Sequence, residues 1–221
     1  MIELVLFDCD GVLIDSEWIS ARVFAESLAE IGVDLTPRQV VAEFVGLDNA
    51  SILAKVERDH GIALPQEFDG RAAERLSAAF EAELRPLPGA IDALDGLHCA
   101  YCVASNSGHK RLRHTLRVAG LLDRFDGRIF SSEDVARGKP APDLFLHAAA
   151  TFGRDPSECI VIEDSITGVT AARAANMRVI GFCGAGHIVP GHDARLRAAG
   201  AETIITDFSE LLPLLKALHA V

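Results

Sequence analysis

Two carboxylates, Asp8 and Asp10, stand one residue apart where an apolar run stops, and Gly11 follows them. The run, residues 2–7 interrupted only by Glu3, has the continuous apolar character of a buried strand. Ligand sites in α/β sheets lie at the carboxyl ends of strands, so acids at this point do not belong to a core. Their spacing suits a nucleophile and a proton-transfer group working around a divalent cation. A second acid pair, Glu163-Asp164, ends another apolar run at residues 159–162. One acid after a strand is ordinarily a helix N-cap; two strands both ending in acid pairs point to a shared cation. Magnesium accepts a few protein oxygens and keeps several waters. The Asp8 carboxylate, the Asp10 main-chain carbonyl and the carboxylates of Glu163 and Asp164 offer such a set.

Two more segments carry matching chemistry. Ser105-Asn106 ends a third apolar run just before a helical stretch. A hydroxyl, an amide and a helix N-terminus together suit a phosphoryl oxygen, although the same pair also serves as a plain helix cap. Lys139 sits in Gly138-Lys139-Pro140-Ala141-Pro142-Asp143. A loop lysine is ordinarily solvated, but two prolines restrict this backbone, and a site holding three carboxylates and a phosphate needs a cation.

These residues must be positioned by something regular. Apolar runs at 2–7, 100–104, 128–130, 159–162 and 178–183, with a sixth at 203–205, end in polar residues or glycine and predict strands covered on both faces. Segments 88–97, 109–119, 142–152 and 166–175 have helical spacing, and 208–218 predicts a covering helix. The alternation predicts an α/β fold, a doubly wound, Rossmann-like parallel sheet with right-handed crossovers. Residues 16–85 break the rhythm with helical stripes at Ala21, Phe24, Leu28 and Ile31 and at Ala73, Leu76, Phe80 and Leu84, and with Thr36-Pro37 as an N-cap and first helical residue. They predict a small all-α cap domain inserted into a core made of 1–15 and 86–221.

Composition narrows the function classes. The 221 residues carry a net charge of −11, which argues against general nucleic-acid binding and against an anionic membrane surface. No stretch has the ~18 consecutive apolar residues of a membrane helix, and no basic segment precedes the first apolar run, so the expected home is the cytoplasm. Five cysteines in no framework spacing fit a reducing compartment. Cys99 and Cys102 have C-x-x-C spacing, but their apolar surroundings suit buried thiols acting as small hydrophobes. The eight histidines show no metal-like pairing, and His109, His114 and His147 fit helix surfaces. Gly181-Phe182-Cys183-Gly184-Ala185-Gly186 lacks the lysine of a phosphate-binding loop and is expected to be a simple glycine-rich turn, and Gly168 is expected to allow close helix–strand packing.

Taken in order, Asp8-Cys9-Asp10-Gly11, Ser105-Asn106, Lys139 and Glu163-Asp164 resemble the four motifs of the haloacid dehalogenase superfamily. The helical insert resembles its helical-cap subfamily, near the sugar-phosphate phosphatases and β-phosphoglucomutase-like proteins. The resemblance implies that Asp8 is the nucleophile and Asp10 the acid/base. It implies that Mg2+ is held by Asp8, Asp10 and Asp164 with Glu163 in or next to the shell. Gly11, Ser105, Asn106 and Lys139 would serve the phosphate, with Ser105 and Lys139 taking part in catalysis. The expected partner is a small phosphate ester, a sugar phosphate or a phosphorylated sugar acid, and the expected assembly a monomer or small homo-oligomer. Glu17 and the 46–49 loop, including Asn49, are the substrate-contact candidates in the insert. Dehalogenases of the superfamily lack an acid at the Asp10 position. The mutases carry a histidine where this chain has Ser20 and an arginine where it has Asn49, which favours a phosphatase over a mutase. A non-catalytic relative would lack one of Asp8, Asp10, Lys139 or Asp164.

Overall fold

The computed structural model describes residues 1–44 and 49–219, the side chains of Asn49 and His219 excepted. Gly46 to Asp48 and the Asn49 side chain, where substrate contacts are expected, therefore lie outside the described residues. The chain divides into two compact units, one made of Met1–Asp15 with Arg85–Val221 and the other of Ser16–Leu84.

The first unit is built on strands β1 (Leu4–Phe7), β2 (Ala100–Ser105), β3 (Ile129–Ser131), β4 (Cys159–Glu163), β5 (Arg178–Phe182) and β6 (Thr203–Ile205). They form one sheet in the order β3-β2-β1-β4-β5-β6, and every pairing is parallel. This is the doubly wound order, with its switch point between β1 and β4. Successive side chains of a strand point to opposite faces. Leu4, Val5, Leu6 and Phe7 are all fully buried, so both faces of β1 are covered. Leu4 and Leu6 pack in one core cluster with Cys102, Ala104, Cys159, Val161 and Val179. Burial raises the Cys102 thiol, and raises that of Cys159 to about 11, so both remain protonated and apolar. All five cysteines are free.

In the same unit lie helices between the strands: residues 90–95 before β2, 109–118 after it, 143–151 before β4, 166–174 after it, 192–199 before β6 and 211–219 at the end. Residue 89 has a positive φ, and the first of these helices starts at Ala90 rather than at residue 88. The helix at 143–151 packs against β1, β2 and β3, and that at 166–174 against β4 and β5.

In the second unit, α1 (Ser16–Ala29), α2 (Pro37–Phe44), α3 (Asn49–His60) and α4 (Phe68–Glu83) are the described elements. Thr36 and Gln39 form a reciprocal cap at α2, with Thr36 N donating to Gln39 Oε1 at 2.9 Å and Gln39 N to Thr36 Oγ1 at 3.3 Å. Phe24 meets the rings of Phe44 and Phe68 edge-on at 5.8 and 6.0 Å. Two residues of the expected stripes fall elsewhere. Ile31 lies past the end of α1, because the chain turns at Gly32 (φ 84°) and Val33 takes the buried place. Ala73 is exposed, and the covered residues of α4 include Phe68, Ala72, Leu76 and Phe80.

Removing volume from the centre of the sheet should be costly. Leu6→Ala is expected to destabilise the protein by about 2–5 kcal/mol, read from the midpoint of urea unfolding at unchanged slope.

Candidate active site

The parallel register places the two acid motifs side by side. Phe7 is paired with Ile162, and Asp8 N donates to Ile162 O at 3.0 Å, so Asp8 and Glu163 leave neighbouring strands at the same level. Asp8, Glu163 and Asp164 each present an oxygen within 4.8 Å of the others, and all three residues are buried. Lys139 is buried with them. Its Nζ lies 2.7 Å from Asp8 Oδ1 and 2.6 Å from Glu163 Oε1.

Burial pushes the Asp8 carboxyl above the ordinary range. Lys139 opposes this, while Glu163, Asp164 and Asp10 add to it. Burial by itself would lower the Lys139 ammonium, but Asp8 and Glu163 outweigh it and raise the group. The two carboxylates therefore favour the charged form of the lysine. One ammonium against three carboxylates leaves the nest electronegative, and every donor in it is a hard oxygen. That set suits a magnesium-like dication.

Each member has a local support. Glu163 accepts from Ser165 N and Ser165 Oγ at 2.8 Å each, and Ser165 Oγ in turn accepts from Gly168 N at 3.0 Å, capping the helix at 166–174. A carboxylate at a helix N-terminus is favoured by the exposed N–H groups. A Cβ on Gly168 would come within 1.7 Å of Glu163 Oε1, so this glycine makes room for a carboxylate and not merely for strand packing. Asn106 grips the Lys139 backbone at both ends: its Nδ2 donates to Lys139 O at 3.0 Å, and Lys139 N donates to its Oδ1 at 2.8 Å. The Asn106 amide thus places the lysine. Ser105 Oγ accepts from Ser107 N at 3.1 Å, and its own hydroxyl proton remains to be donated.

Asp10 sits beside the nest. Ser107 Oγ donates to its Oδ2 at 2.9 Å, and Arg111 Nη2 is 3.6 Å from its Oδ1. The turn carrying Ser107 is braced from the end of β3, where Ser131 Oγ donates to Ser107 O and Ser132 Oγ to Asn106 O, each at 2.8 Å. Gly11 has φ 79°, and a Cβ there would lie 2.2 Å from Asp164 Oδ2. The turn after β1 therefore requires glycine for both conformation and space.

A family model described as haloacid dehalogenase-like hydrolase matches residues 2–176. The chain belongs to that family. It is 33% identical over 190 residues to the 6-phosphogluconate phosphatase of Escherichia coli K12, covering 86% of each chain. A haloacid dehalogenase-like protein of unknown function from Agrobacterium tumefaciens C58 superposes with a TM-score of 0.91 at 39% identity, over 99% of this chain and all of that one. A haloacid dehalogenase family hydrolase from Deinococcus radiodurans R1, solved with bound phosphate and sodium, gives 0.87 at 36% identity over 97% of this chain and 95% of its own. This haloacid dehalogenase-like hydrolase is an enzyme, and its named relative is a phosphatase.

Within the hydrolase, the structure brings Asp8, Glu163, Asp164 and Lys139 into contact range and sets Asp10, Gly11, Ser105 and Asn106 around them. Glu17 lies in the first turn of α1, in the other unit. Sequence reading assigned no site role to Ser107, Arg111, His187 or His192. His187 Nε2 is 3.0 Å from Asp164 Oδ2, and His192 Nε2 is 2.5 Å from Asp164 O. Burial holds the His192 imidazole below its usual range. The stretch expected to be a simple turn delivers His187: Gly186 N donates to Asp15 Oδ2 at 3.0 Å just before it. Neither histidine stands at a metal-like spacing from any acid, so no sequence signal marked them.

Lys139→Met should leave Asp8 and Glu163 buried without their cation. Removing one partner of a buried ion pair costs roughly 3–5 kcal/mol, and urea unfolding in excess chelator should show a loss of that order. A variant as stable as the wild type would mean that the lysine does not balance the nest.

Proposed function

We propose that this hydrolase is a phosphatase for a small phosphate monoester, of the sugar-phosphate or phosphorylated sugar-acid class, acting through an aspartyl-phosphate on Asp8 with Mg2+ as its cation. The observation that carries the reading is the buried Asp8 carboxylate, held at 2.7 Å by Lys139 inside an all-oxygen acid cluster, with Asp10 positioned by Ser107 next to it. The 6-phosphogluconate phosphatase relative supports the substrate class.

Asp8, Asp164 and the Asp10 carbonyl would hold the ion, with Glu163 beside them. Bound there, it would neutralise phosphate charge and align the phosphorus with Asp8. An Asp8 oxygen attacks phosphorus, and the bond from phosphorus to the ester oxygen breaks. Asp10 gives its proton to that leaving oxygen, releasing the alcohol. Water then attacks the aspartyl-phosphate and passes a proton to Asp10. The bond from phosphorus to Asp8 breaks, returning the carboxylate and inorganic phosphate. Lys139 and the Ser105 hydroxyl bind the transferring oxygens, where charge stabilisation supplies most of the rate. Asn106 acts through the Lys139 backbone it holds. Water as the acceptor distinguishes this enzyme from a mutase, in keeping with Ser20 and Asn49 at the positions where mutases carry histidine and arginine.

Asp8→Asn is expected to abolish phosphate release from p-nitrophenyl phosphate while leaving the circular dichroism spectrum unchanged. Excess chelator should stop the wild-type reaction and added Mg2+ should restore it. A variant with near-wild-type turnover places the nucleophile elsewhere. A screen of sugar phosphates, phosphorylated sugar acids, phosphoglycolate and nucleotides, run beside an isomerisation assay on hexose 1-phosphates, should yield free phosphate from the first two classes and no isomer. Isomer without phosphate would replace the phosphatase reading by a mutase.

A further inference from the structure

Asp164 is held by two histidines that the mechanism above leaves without a task. His187 is 6% exposed and Asp164 5%, and Nε2 of the first lies 3.0 Å from Oδ2 of the second. His192 Nε2 reaches the Asp164 main-chain oxygen at 2.5 Å. Arg195 Nη2 stands 3.0 Å from the other ring nitrogen of His192. A guanidinium only donates, so Nδ1 accepts and Nε2 carries the proton that goes to the Asp164 carbonyl. Gly11 makes the arrangement sterically possible. A Cβ there would lie 2.2 Å from Asp164 Oδ2 and 2.8 Å from His187 Cε1, so a larger residue would drive the imidazole and the carboxylate apart. The chain thus spends a buried imidazole, a second imidazole fixed by an arginine, and a glycine on one aspartate.

We propose that His187 is a positioning residue for the cation. By donating to Oδ2 it fixes the plane of the Asp164 carboxylate and leaves the other oxygen to face the ion, while His192 fixes the backbone beneath it. The proposal rests on the reading of Asp164 as a cation ligand. Hydrogen-bond partners behind metal ligands set ligand orientation, and their loss costs affinity for the metal before anything else.

Two polar replacements separate the donor from the packing of the ring. A glutamine at 187 places its amide nitrogen near the position of Nε2 and can donate to Oδ2, whereas an asparagine stops near Nδ1. Mn2+ binding to the substrate-free protein, followed by loss of the free-ion electron paramagnetic resonance signal, reads the effect without turnover. His187→Asn should weaken Mn2+ by about 10- to 100-fold, and His187→Gln should stay within about threefold of the wild type. At saturating Mg2+ the KM for p-nitrophenyl phosphate should be unchanged in both, and most of kcat should return in the asparagine variant. An asparagine variant that binds Mn2+ as the wild type does overturns the proposal. Equal weakening in both variants also overturns it, because ring packing rather than the donor then controls the site. If the asparagine variant does not fold, the glutamine variant decides alone, and a tenfold or greater loss in it is equally fatal. Wild-type protein that binds no Mn2+ removes the cation reading of Asp164 itself, a failure visible before any variant is compared.

Discussion

A single buried ammonium among three buried carboxylates governs the catalytic unit. Like charges brought together away from water repel and are poorly solvated, and Lys139 meets that demand by touching Asp8 and Glu163 together. Its neighbours make sense as consequences. Asn106 clamps the lysine backbone, and Gly138 lets that clamp close, since a Cβ there would come within 2.6 Å of Asn106 Oδ1. Ser165 and the N-terminus of its helix absorb the remaining negative charge of Glu163. The protein is acidic overall, and the nest keeps that sign, with one ammonium against three carboxylates.

The sheet gives this charge arrangement its accuracy. β1 and β4 are adjacent, parallel and buried on both faces, and their register sets Asp8 beside Glu163. A slip of one residue would turn every side chain of β1 to the opposite face and take Asp8 away from the lysine. The apolar content of the two strands and the placing of the acids are therefore one specification. The register in turn fixes the distances between the charged groups.

This linkage explains what could be learned from the amino acids alone. Acids directly after strands are chemically conspicuous, so Asp8, Asp10, Glu163 and Asp164 were legible, as was the strand–helix alternation around them. Lys139 was legible because two prolines, Pro140 and Pro142, follow it in its loop. The second sphere was not. Ser107 touches Asp10 across 97 residues of chain, and His187 meets Asp164 only because the stretch after β5 folds back at Gly186. Such contacts depend on how loops return to a sheet edge, which has no period to read. Asn106 carried a recognisable motif but an incomplete meaning, since its amide is engaged with a backbone distant in sequence. On α4 the error was one of phase: a heptad-like spacing accepted Ala73, and the helix turned it outward.

The two core segments that flank the catalytic unit's interruption lie next to each other. Ile14 bridges Pro86 in antiparallel fashion, and Leu87 N donates to Leu13 O at 2.9 Å. The core therefore closes its own seam, and the helical segment departs from and returns to what is in effect a single point. The entropy of closing a loop grows only slowly with its length once the ends are fixed together. A segment attached in this way can be lengthened, shortened or exchanged at little thermodynamic cost to the sheet. The sheet and the segment sewn into its seam are consequently free to evolve on separate schedules, the one locked to strand register and the other not.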